Sequence, residues 1–539
     1  MVRLLTQVIG LHAYLHDVRT GQVDKAAIGA GETATVRSPV IGLVPTMGAL
    51  HIGHDSLITR AQQDCDIVIV SIFVNPLQFG PTEDFDQYPR RLEDDCQRCE
   101  SLGVDVVFAP NSEELYGTTA TQPGQYTQVI PPRALTAELC GRSRPGHFAG
   151  VAIVVTKLLS LVQPDRAYFG QKDAQQLAMI RRCVRDLSLP VDIISCPIVR
   201  EADGLAYSSR NRYLTPAQRQ QAPKLYQSLQ QAQQLVRHQG ITDRQTLLGT
   251  VQKLLAATPN LQLDYVELVH PDTIETLDNI EEVGLLAIAA YLGDTRLIDN
   301  VVVRRRRPIV AIDGPAGAGK STVARQVAHQ LGLVYLDTGA MYRAVTWLAI
   351  ESGVDLDDRP QVAELASRCE LELRPGLATS GDDDLIPPAQ VWVNQVNVTA
   401  AIRTAAVTAN VSTVAAQPLV RQELSRRQQA YGREGGVVME GRDIGTHVFP
   451  DAELKIFLTA SVQERARRRQ QDLQAQNQPV VDLAELEKLI YERDRKDSTR
   501  ATAPLRKAAD AQEIQTDELR IPDVTAKIVE LYHQVVQAD

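Results

Sequence analysis

Cysteine is scarce in this sequence: seven residues in 539, odd in number and scattered. That excludes a disulfide framework and points to free thiols in a reducing compartment. The one close pair, Cys96 and Cys99, has no second pair at zinc-ligand spacing. It lies in a charged stretch, Pro89–Gly103, expected to be a surface helix with two ordinary thiols. Long apolar runs are missing too. None approaches the roughly 18 residues of a bilayer span, and Thr6, Gln7 and His12 interrupt the start too early for a secretory segment, so a cytoplasmic protein without membrane contact is expected. Positive charge is not in excess. With 56 Lys+Arg against 66 Asp+Glu the net charge is -10, so the overall field does not favour a nucleic acid, no nucleic-acid partner is expected, and any phosphate recognition must be local. What remains, at 44% hydrophobic, 23% charged and 5% aromatic residues, is a set of ordinary packed domains in a chain too long for one core.

Strand-like and helix-like segments alternate in both halves, which predicts α/β units with largely parallel sheets. Val40–Val44, Asp66–Val74, Val104–Ala109, Arg166–Phe169 and Val191–Arg200 read as strands. Asp55–Gln63, Gly150–Val162 and Ala174–Leu187 read as helices, and Pro216–Gln239 as a longer, mostly exposed one. Leu261–His270 and Gly284–Asn300 then read as strands of a small second domain. Four consecutive arginines and a proline, Arg304–Pro308, precede a fresh buried strand, Ile309–Ile312, and are expected to form a solvated basic linker. The domains expected are therefore 1–187, 188–303, the linker 304–308, and 309–539 with an inserted lobe near 370–400, in which Pro375–Ala389 reads as an exposed loop.

The strongest motif is DGPAGAGKST, Asp313–Thr322, between a strand and a helix, Ser321–Gln330. Backbone N–H groups of Gly314, Pro315's neighbours, Ala316, Gly317, Ala318 and Gly319 can cradle phosphate oxygens at a helix N-terminus. Lys320 can reach the β and γ phosphates, and Ser321 can hold Mg²⁺ beside Thr322. A P-loop alone leaves an ATPase, GTPase, small-molecule kinase or nucleotide kinase open. Transfer between two phosphorylated species calls for cations on both, and Arg343, Arg442, the run Arg465–Arg469, Arg493 and Arg500 supply them. Together with LDTGAMYR (Leu336–Arg343), EGRDIGT (Glu440–Thr446), FPD (Phe449–Asp451), RDRKD (Arg493–Asp497) and RATAP (Arg500–Pro504), the segment 308–539 resembles the bacterial cytidylate kinase family. The resemblance implies a P-loop nucleoside monophosphate kinase in which Thr338, Arg343 and Arg442 hold the CMP phosphate, Arg493 and Asp497 lie by the sugar, and Ser412, Arg421 and Asp443 read the base. A carboxylate suits cytosine's exocyclic amine, and an arginine suits its acceptors. The arginine-rich helix from Ser461, with Arg465 and Arg469, is the expected lid. Ala316 stands where that family often has Ser.

In the first half, PTMGALHIGH, Pro45–His54, follows a strand and opens a helix, placing His51 and His54 at a strand's carboxyl end, where open α/β sheets bind ligands. Imidazoles there can donate to phosphate oxygens, and Gly53 leaves room for an adenine ring. FVNPLQF (Phe73–Phe79), RSRPGHFAG (Arg142–Gly150), FGQKDAQQ (Phe169–Gln176) and READGLAYSSRN (Arg200–Asn211) complete the set. Lys172 and Arg210 on separate loops can neutralise a triphosphate during attack at the α-phosphate, while Gln78 and Gln176 offer neutral amides to a hydroxylated acid. Over roughly residues 1–300 this set resembles pantothenate synthetase, the pantoate–β-alanine ligase family, a Rossmann-like nucleotidylyl-transferase domain followed by a small α+β domain. The resemblance implies ATP against Met47, Gly48, Ala49, Leu50, His51, Ile52, Gly53 and His54, against Gly170, Gln171, Lys172 and Asp173, and against Val199, Tyr207, Ser208, Ser209 and Arg210. It implies His54 as proton donor, pantoate between Gln78 and Gln176, β-alanine as the second acceptor, and a homodimer through this half. Tyr207 stands where Met is common in that family, and Gly21–Glu32 is an extra polar stretch.

The sequence thus predicts two Mg²⁺- and ATP-dependent enzymes in one chain, acting on pantoate and β-alanine and on CMP or dCMP. The rivals are a tRNA-charging or other nucleotidyl-transfer enzyme in the first half, a kinase for another nucleotide in the second, and a nucleotide-sensing protein without turnover.

Overall fold

The computed structural model describes residues 2–21, 38–80, 85–117, 126–374, 389–475, 481–500 and 503–538. Most of the polar stretch Gly21–Glu32 and nearly all of the expected loop Pro375–Ala389 lie outside them. The chain falls into two compact units, Met1–Arg305 and Arg306–Asp539.

The first unit is built on a six-stranded sheet in the order β1-β4-β3-β2-β5-β6. Its strands are Arg3–Leu5, Ile41–Thr46, Ile67–Ile72, Val106–Phe108, Arg166–Gly170 and Asp192–Cys196, numbered β1 to β6 along the chain. Every pairing is parallel, as expected of strands read as continuous apolar runs buried on both faces. Helices Val8–Thr20, His147–Val162 and Ala174–Asp186 contribute one face of the core, with Leu15, Val151, Leu158 and Ile180 packed on Leu43, Ile69 and Phe108. Helix Ile52–Asp64 and Leu92–Ser101 contribute the other, through Ile58, Ala61 and Cys99. The strand order reverses at β2, with β3 on one side and β5 on the other. Such a switch point opens a crevice at the carboxyl ends of both strands.

An antiparallel sheet follows, β7 (Leu261–Val269), β8 (Val283–Leu292) and β9 (Thr295–Arg304), paired in that order. Gly284–Asn300, expected as one run, is a hairpin. Gly293, at φ 59°, begins the two-residue turn between Leu292 and Thr295, a left-handed conformation that glycine adopts without a side-chain clash. Pro216–Gln239 likewise divides into Pro216–Gln221 and Lys224–Gln239. Pro223 stands between them, where its missing N–H and fixed φ favour a helix start over a helix interior. The second helix is not mostly exposed: Leu225, Leu229, Ala232 and Val236 form a helical stripe packed on Leu268, Leu286 and Ile288.

Of the four arginines expected to be a solvated linker, Arg305 and Arg307 are exposed, but Arg306 is not. Arg304 closes β9 and Arg307 opens β10 (Arg307–Asp313). The Arg306 side chain is only 7% exposed and pairs with Asp451 and Glu453 at 3.1 and 3.2 Å. In the second unit β10 is the central strand of a parallel sheet ordered β11-β15-β10-β16-β17. The others are β11 (Val334–Asp337), β15 (Gly435–Glu440), β16 (Leu454–Thr459) and β17 (Gln512–Gln515). Helices Lys320–Leu331 and Ile521–Ala538 cover one face, through Val323, Val327, Val524 and Ile528. Thr338–Glu351 and Pro418–Tyr431 cover the other. A small antiparallel sheet, β12 (Leu371–Arg374), β13 (Gln390–Val393) and β14 (Val396–Asn397), forms the inserted lobe.

Candidate active sites

At the switch point of the first unit lies a cavity of about 230 Å³. Its lining includes Met47, His51, Gly53, His54, Gln78, Gly170, Lys172, Asp173, Gln176, Val199 and Tyr207, with Tyr88, Val151 and Val154 as apolar wall. Five separated segments therefore converge on one space. Ser208, Ser209 and Arg210 follow Tyr207 without lining the cavity, and Gly48, Ala49, Leu50, Ile52 and Gln171 do not line it either. Arg210 nevertheless helps hold the Asp173 carboxyl below its ordinary range, after Lys172, against the opposing effect of burial.

The histidine pair is locked by its own backbone. His51 caps the helix Ile52–Asp64, its Nδ1 accepting from the Gly53 N–H at 3.1 Å, and His54 Nδ1 accepts from the His51 N–H at 3.3 Å. With both Nδ1 atoms accepting, the proton of each neutral ring sits on Nε2. Burial, with Lys172 adding repulsion, lowers the His51 pKa to about 4. Burial and His51 lower His54 well below its usual value. Both rings are neutral near pH 7 and donate through Nε2–H. Gly53 is needed for this arrangement: a Cβ there would lie 2.9 Å from His51 Cε1.

Asp95 shapes the preceding turn, and its role was not visible in the sequence. The carboxylate, 4% exposed, accepts from the N–H groups of Ala49 and Leu50 at 2.8 Å each. Ala49 is thereby held at φ 52°, a conformation unfavourable for a side-chain-bearing residue. The helix that carries Asp95, expected to lie on the surface with two ordinary thiols, also buries Cys99 completely. Gln78 is held by a second unpredicted residue. Asn75 Nδ2 donates to Gln78 Oε1 (3.2 Å) and to the Gly150 carbonyl (3.1 Å), while Tyr116 donates to Asn75 Oδ1 (3.0 Å). Of the two neighbouring glutamines, Gln176 faces the cavity, whereas Gln175 is spent on Leu135, Glu138 and Cys140 backbone.

In the second unit the loop Gly314–Gly319 runs from β10 into the helix Lys320–Leu331, with Gly314, Gly317 and Gly319 at positive φ. A Cβ at Gly314 would lie 2.0 Å from the Leu458 carbonyl oxygen, so only glycine fits. Lys320 donates to the Pro315 carbonyl at 2.7 Å. Burial, then Arg442, lowers its pKa well below that of a solvated lysine, against the attraction of Glu440 and Asp313. Ser321 Oγ donates to Glu440 Oε2 at 2.9 Å. These are hard oxygen donors at the helix start, of the kind Mg²⁺ accepts alongside phosphates and water. Asp313 accepts from the Ile444 and Gly445 N–H groups at 2.8 and 2.7 Å, tying the strand before the P-loop to the turn that carries Arg442 and Asp443.

Around this cradle guanidinium groups crowd one another. Arg343 donates to Thr408 Oγ1 at 2.9 Å. Its pKa is lowered, first by burial, with Arg403, Arg469 and Arg442 reinforcing and Asp337 opposing. Arg493 is lowered by burial and Arg442, against Asp497. Arg442 contacts Asp497 at 3.2 Å. Thr338 Oγ1 donates to the Glu440 carbonyl at 2.7 Å. Arg421, 1% exposed, donates to Asp443 and to the Ala415 carbonyl (3.0 Å), and Arg500 lies 3.5 Å from Asp443. Burial pushes the Asp443 carboxyl up, but Arg421 and Arg500 more than offset this and hold it below its ordinary range. Ser412 is half-buried on the helix Ala405–Ala415. The expected lid is a pair of helices, Val462–Ala475 and Leu483–Thr499. Arg465 is committed within it, to Asp494 (2.6 Å) and to the Ala316 carbonyl of the P-loop (3.2 Å), while Arg469 is among the cations acting on Arg343.

Fold and sites define two α/β nucleotide-handling units in one chain, one with a histidine pair at a switch point and one with a P-loop. A family model described as pantoate-beta-alanine ligase matches residues 22–302, and one described as cytidylate kinase matches residues 310–534. A bifunctional pantoate ligase/cytidylate kinase of Nostoc sp. is 58% identical over 540 residues, covering 99% of each chain. One of Thermosynechococcus vestitus is 56% identical, covering 96% of this chain and 98% of its own. A crystal structure of pantothenate synthetase from Thermus thermophilus is 42% identical, covering 56% of this chain and 99% of its own, with a TM-score of 0.49. The chain belongs to the bifunctional pantoate ligase/cytidylate kinase family and joins two ATP-using enzymes.

Proposed function

We propose that the first unit condenses pantoate with β-alanine and that the second phosphorylates CMP and dCMP, each using ATP. The observation that carries this reading is the grouping of cations and neutral donors into two sites of different chemistry. One holds two neutral histidines, Lys172 and two glutamines; the other holds a buried P-loop lysine close to the half-buried Arg442 and Arg493.

In the first crevice Lys172 and the Nε2–H groups of His51 and His54 hold triphosphate oxygens, with Arg210 adding charge from behind Tyr207. Neutral histidines donate without adding two further charges beside Lys172. Gln78 and Gln176 grip pantoate's hydroxyls and leave its carboxylate anionic, hence nucleophilic. A carboxylate oxygen bonds to the α-phosphorus as the bond to the bridging oxygen breaks and pyrophosphate leaves. The β-alanine amine, once deprotonated, then bonds to the acyl carbon and AMP departs. In the second site Thr338, Arg343 and Arg442 orient the CMP phosphate, whose oxygen bonds to the γ-phosphorus as ADP leaves. Lys320 and the closing lid neutralise the transferring group and exclude water. Asp443 and Arg421 match cytosine's donor and acceptors, and Arg493 with Asp497 serves the sugar. Ser321 and Glu440 would hold Mg²⁺ together with the phosphates, and the ion would supply charge neutralisation there.

We also infer a boundary near residues 187 and 188 within the first unit, a homodimer through that unit, and a cytoplasmic location. Among the described residues no helix is long and apolar enough to cross a membrane. Two acceptor-omission assays on the full chain test the functional reading: AMP release must require pantoate, and ADP release must require CMP or dCMP. Release without the acceptor, or with UMP or AMP serving equally, overturns it.

A further inference from the structure

Two adjacent residues of β9, Asp299 and Asn300, tie the antiparallel sheet to two different walls of the first crevice. Both are buried, at 3% and 5% exposure. Adjacent residues of a strand point to opposite faces, so one strand anchors two loops. Asn300 Nδ2 donates to the carbonyl oxygens of Gln171 and Lys172 at 3.0 and 2.9 Å. Asp299 receives both terminal nitrogens of Arg200, at 2.7 and 2.9 Å. Arg200 also donates to the Gly204 carbonyl at 3.1 Å, and its guanidinium lies 3.5 Å from the centre of the Tyr226 ring. This fixes the hairpin in which Arg200 bridges Ala206 and the Tyr207 N–H bonds to the Val199 carbonyl at 3.0 Å. A further bond, from the Asn300 N–H to Asp299 Oδ1 at 2.7 Å, orients the carboxylate.

Nothing else in that arrangement requires an amide at 300. Its Nδ2 is a two-proton donor matched to two consecutive carbonyl oxygens, which are otherwise hard to satisfy in a tight turn following a strand. We infer that Asn300 is a positioning residue for the ligase reaction: it sets Lys172 at the crevice mouth and, through Asp299 and Arg200, fixes the distance between Lys172 and Tyr207. The claim rests on the reading that Lys172 and Tyr207 contact ATP. It goes beyond that reading by placing control of the phosphate site in a strand that lines no part of the cavity.

The test compares Asn300→Ala and Asn300→Asp with the unsubstituted full chain. Pantoate- and ATP-dependent pyrophosphate release measures the first half-reaction, with CMP-dependent ADP release and thermal unfolding measured alongside. Asp keeps the size of Asn and removes the donor, so it separates hydrogen bonding from packing. The expected result is a fall of about 10- to 30-fold in kcat/KM for ATP in both variants, the loss of two ordinary hydrogen bonds, with Asn300→Asp at least as impaired as Asn300→Ala. The KM for β-alanine and the kinase activity stay unchanged. Wild-type-like ATP kinetics in Asn300→Asp, or equal losses toward ATP and β-alanine, overturn the inference. Absence of pantoate-dependent pyrophosphate release in the unsubstituted chain would instead overturn the underlying reading. Should Asn300→Asp fail to fold, Asn300→Ala against Asn300→Ser, which restores one donor, decides by whether Ser recovers part of the loss.

Discussion

Replacing Asp95 by Ala removes a carboxylate that lines no part of the cavity yet holds the turn on which the first site is built. Two backbone N–H groups, those of Ala49 and Leu50, lose acceptors at 2.8 Å, and both residues are buried. Hydrogen bonds to a charged group contribute about 1.5 to 3 kcal/mol each, and abandoned buried donors bear their desolvation cost. The left-handed Ala49 adds strain of about 1 kcal/mol or more that the carboxylate no longer offsets. The expected loss is about 4 to 7 kcal/mol, or roughly 6 to 12 °C in the unfolding temperature of a unit this large. The sequence offers a built-in control, since both tryptophans, Trp347 and Trp392, lie in the second unit. Tryptophan fluorescence should therefore report an unchanged transition while circular dichroism shows the first unit melting earlier. At a temperature where the variant is folded, kcat/KM for ATP in the ligase reaction should fall at least tenfold. A variant with an unshifted circular-dichroism transition and normal ligase kinetics would refute the claim that this carboxylate organises the turn.

Three further outcomes follow from the geometry. His51, lowered to about 4, and His54, also held well below its ordinary value by burial, bind fewer protons folded than unfolded. The first unit's stability is therefore complete above about pH 6.5 and falls as pH drops toward 4; His51→Gln should flatten that dependence in pH-resolved melts. Gly150→Ala would place a Cβ 2.2 Å from the Leu77 carbonyl oxygen, displacing the segment that carries Gln78. It should raise the KM for pantoate more than that for ATP. Asp443→Asn leaves Arg421 buried without its carboxylate and should both destabilise the second unit by about 3 kcal/mol and narrow the preference for CMP over UMP, measured as a ratio of kcat/KM values.

Much of the fold was legible because its signals are local. The strand before Met47 and the strand before Gly314 are short apolar runs followed by loops that need particular residues, and the parallel sheets follow from alternation. Pro223 and Gly293 broke two segments that composition alone read as continuous, because an apolar or helical pattern does not announce a two-residue interruption. The residues that line the sites were visible as phrases. The contacts that hold those phrases in place were not. Asp95 and Asn300 lie outside every phrase, and Asn75, Asp313 and Glu440, though inside them, bond to partners far away in sequence that no local pattern announces. Asp95 left one trace: it precedes Cys99 by four positions, so a lone carboxylate shares the inward face of a helix otherwise read as exposed. The arginine run misled at one position: Arg305 and Arg307 are exposed as four like charges suggest, but Asp451 and Glu453 arrive from elsewhere in the chain to meet Arg306.

The central claim is that one chain carries two chemically independent ATP-using sites. The most direct measurement assays His54→Ala and Lys320→Ala, in full-length protein, for pantoate-dependent AMP release and CMP-dependent ADP release. The account predicts that His54→Ala loses the first activity and keeps the second, and that Lys320→Ala does the reverse; a folded variant in which either substitution silences both would contradict it.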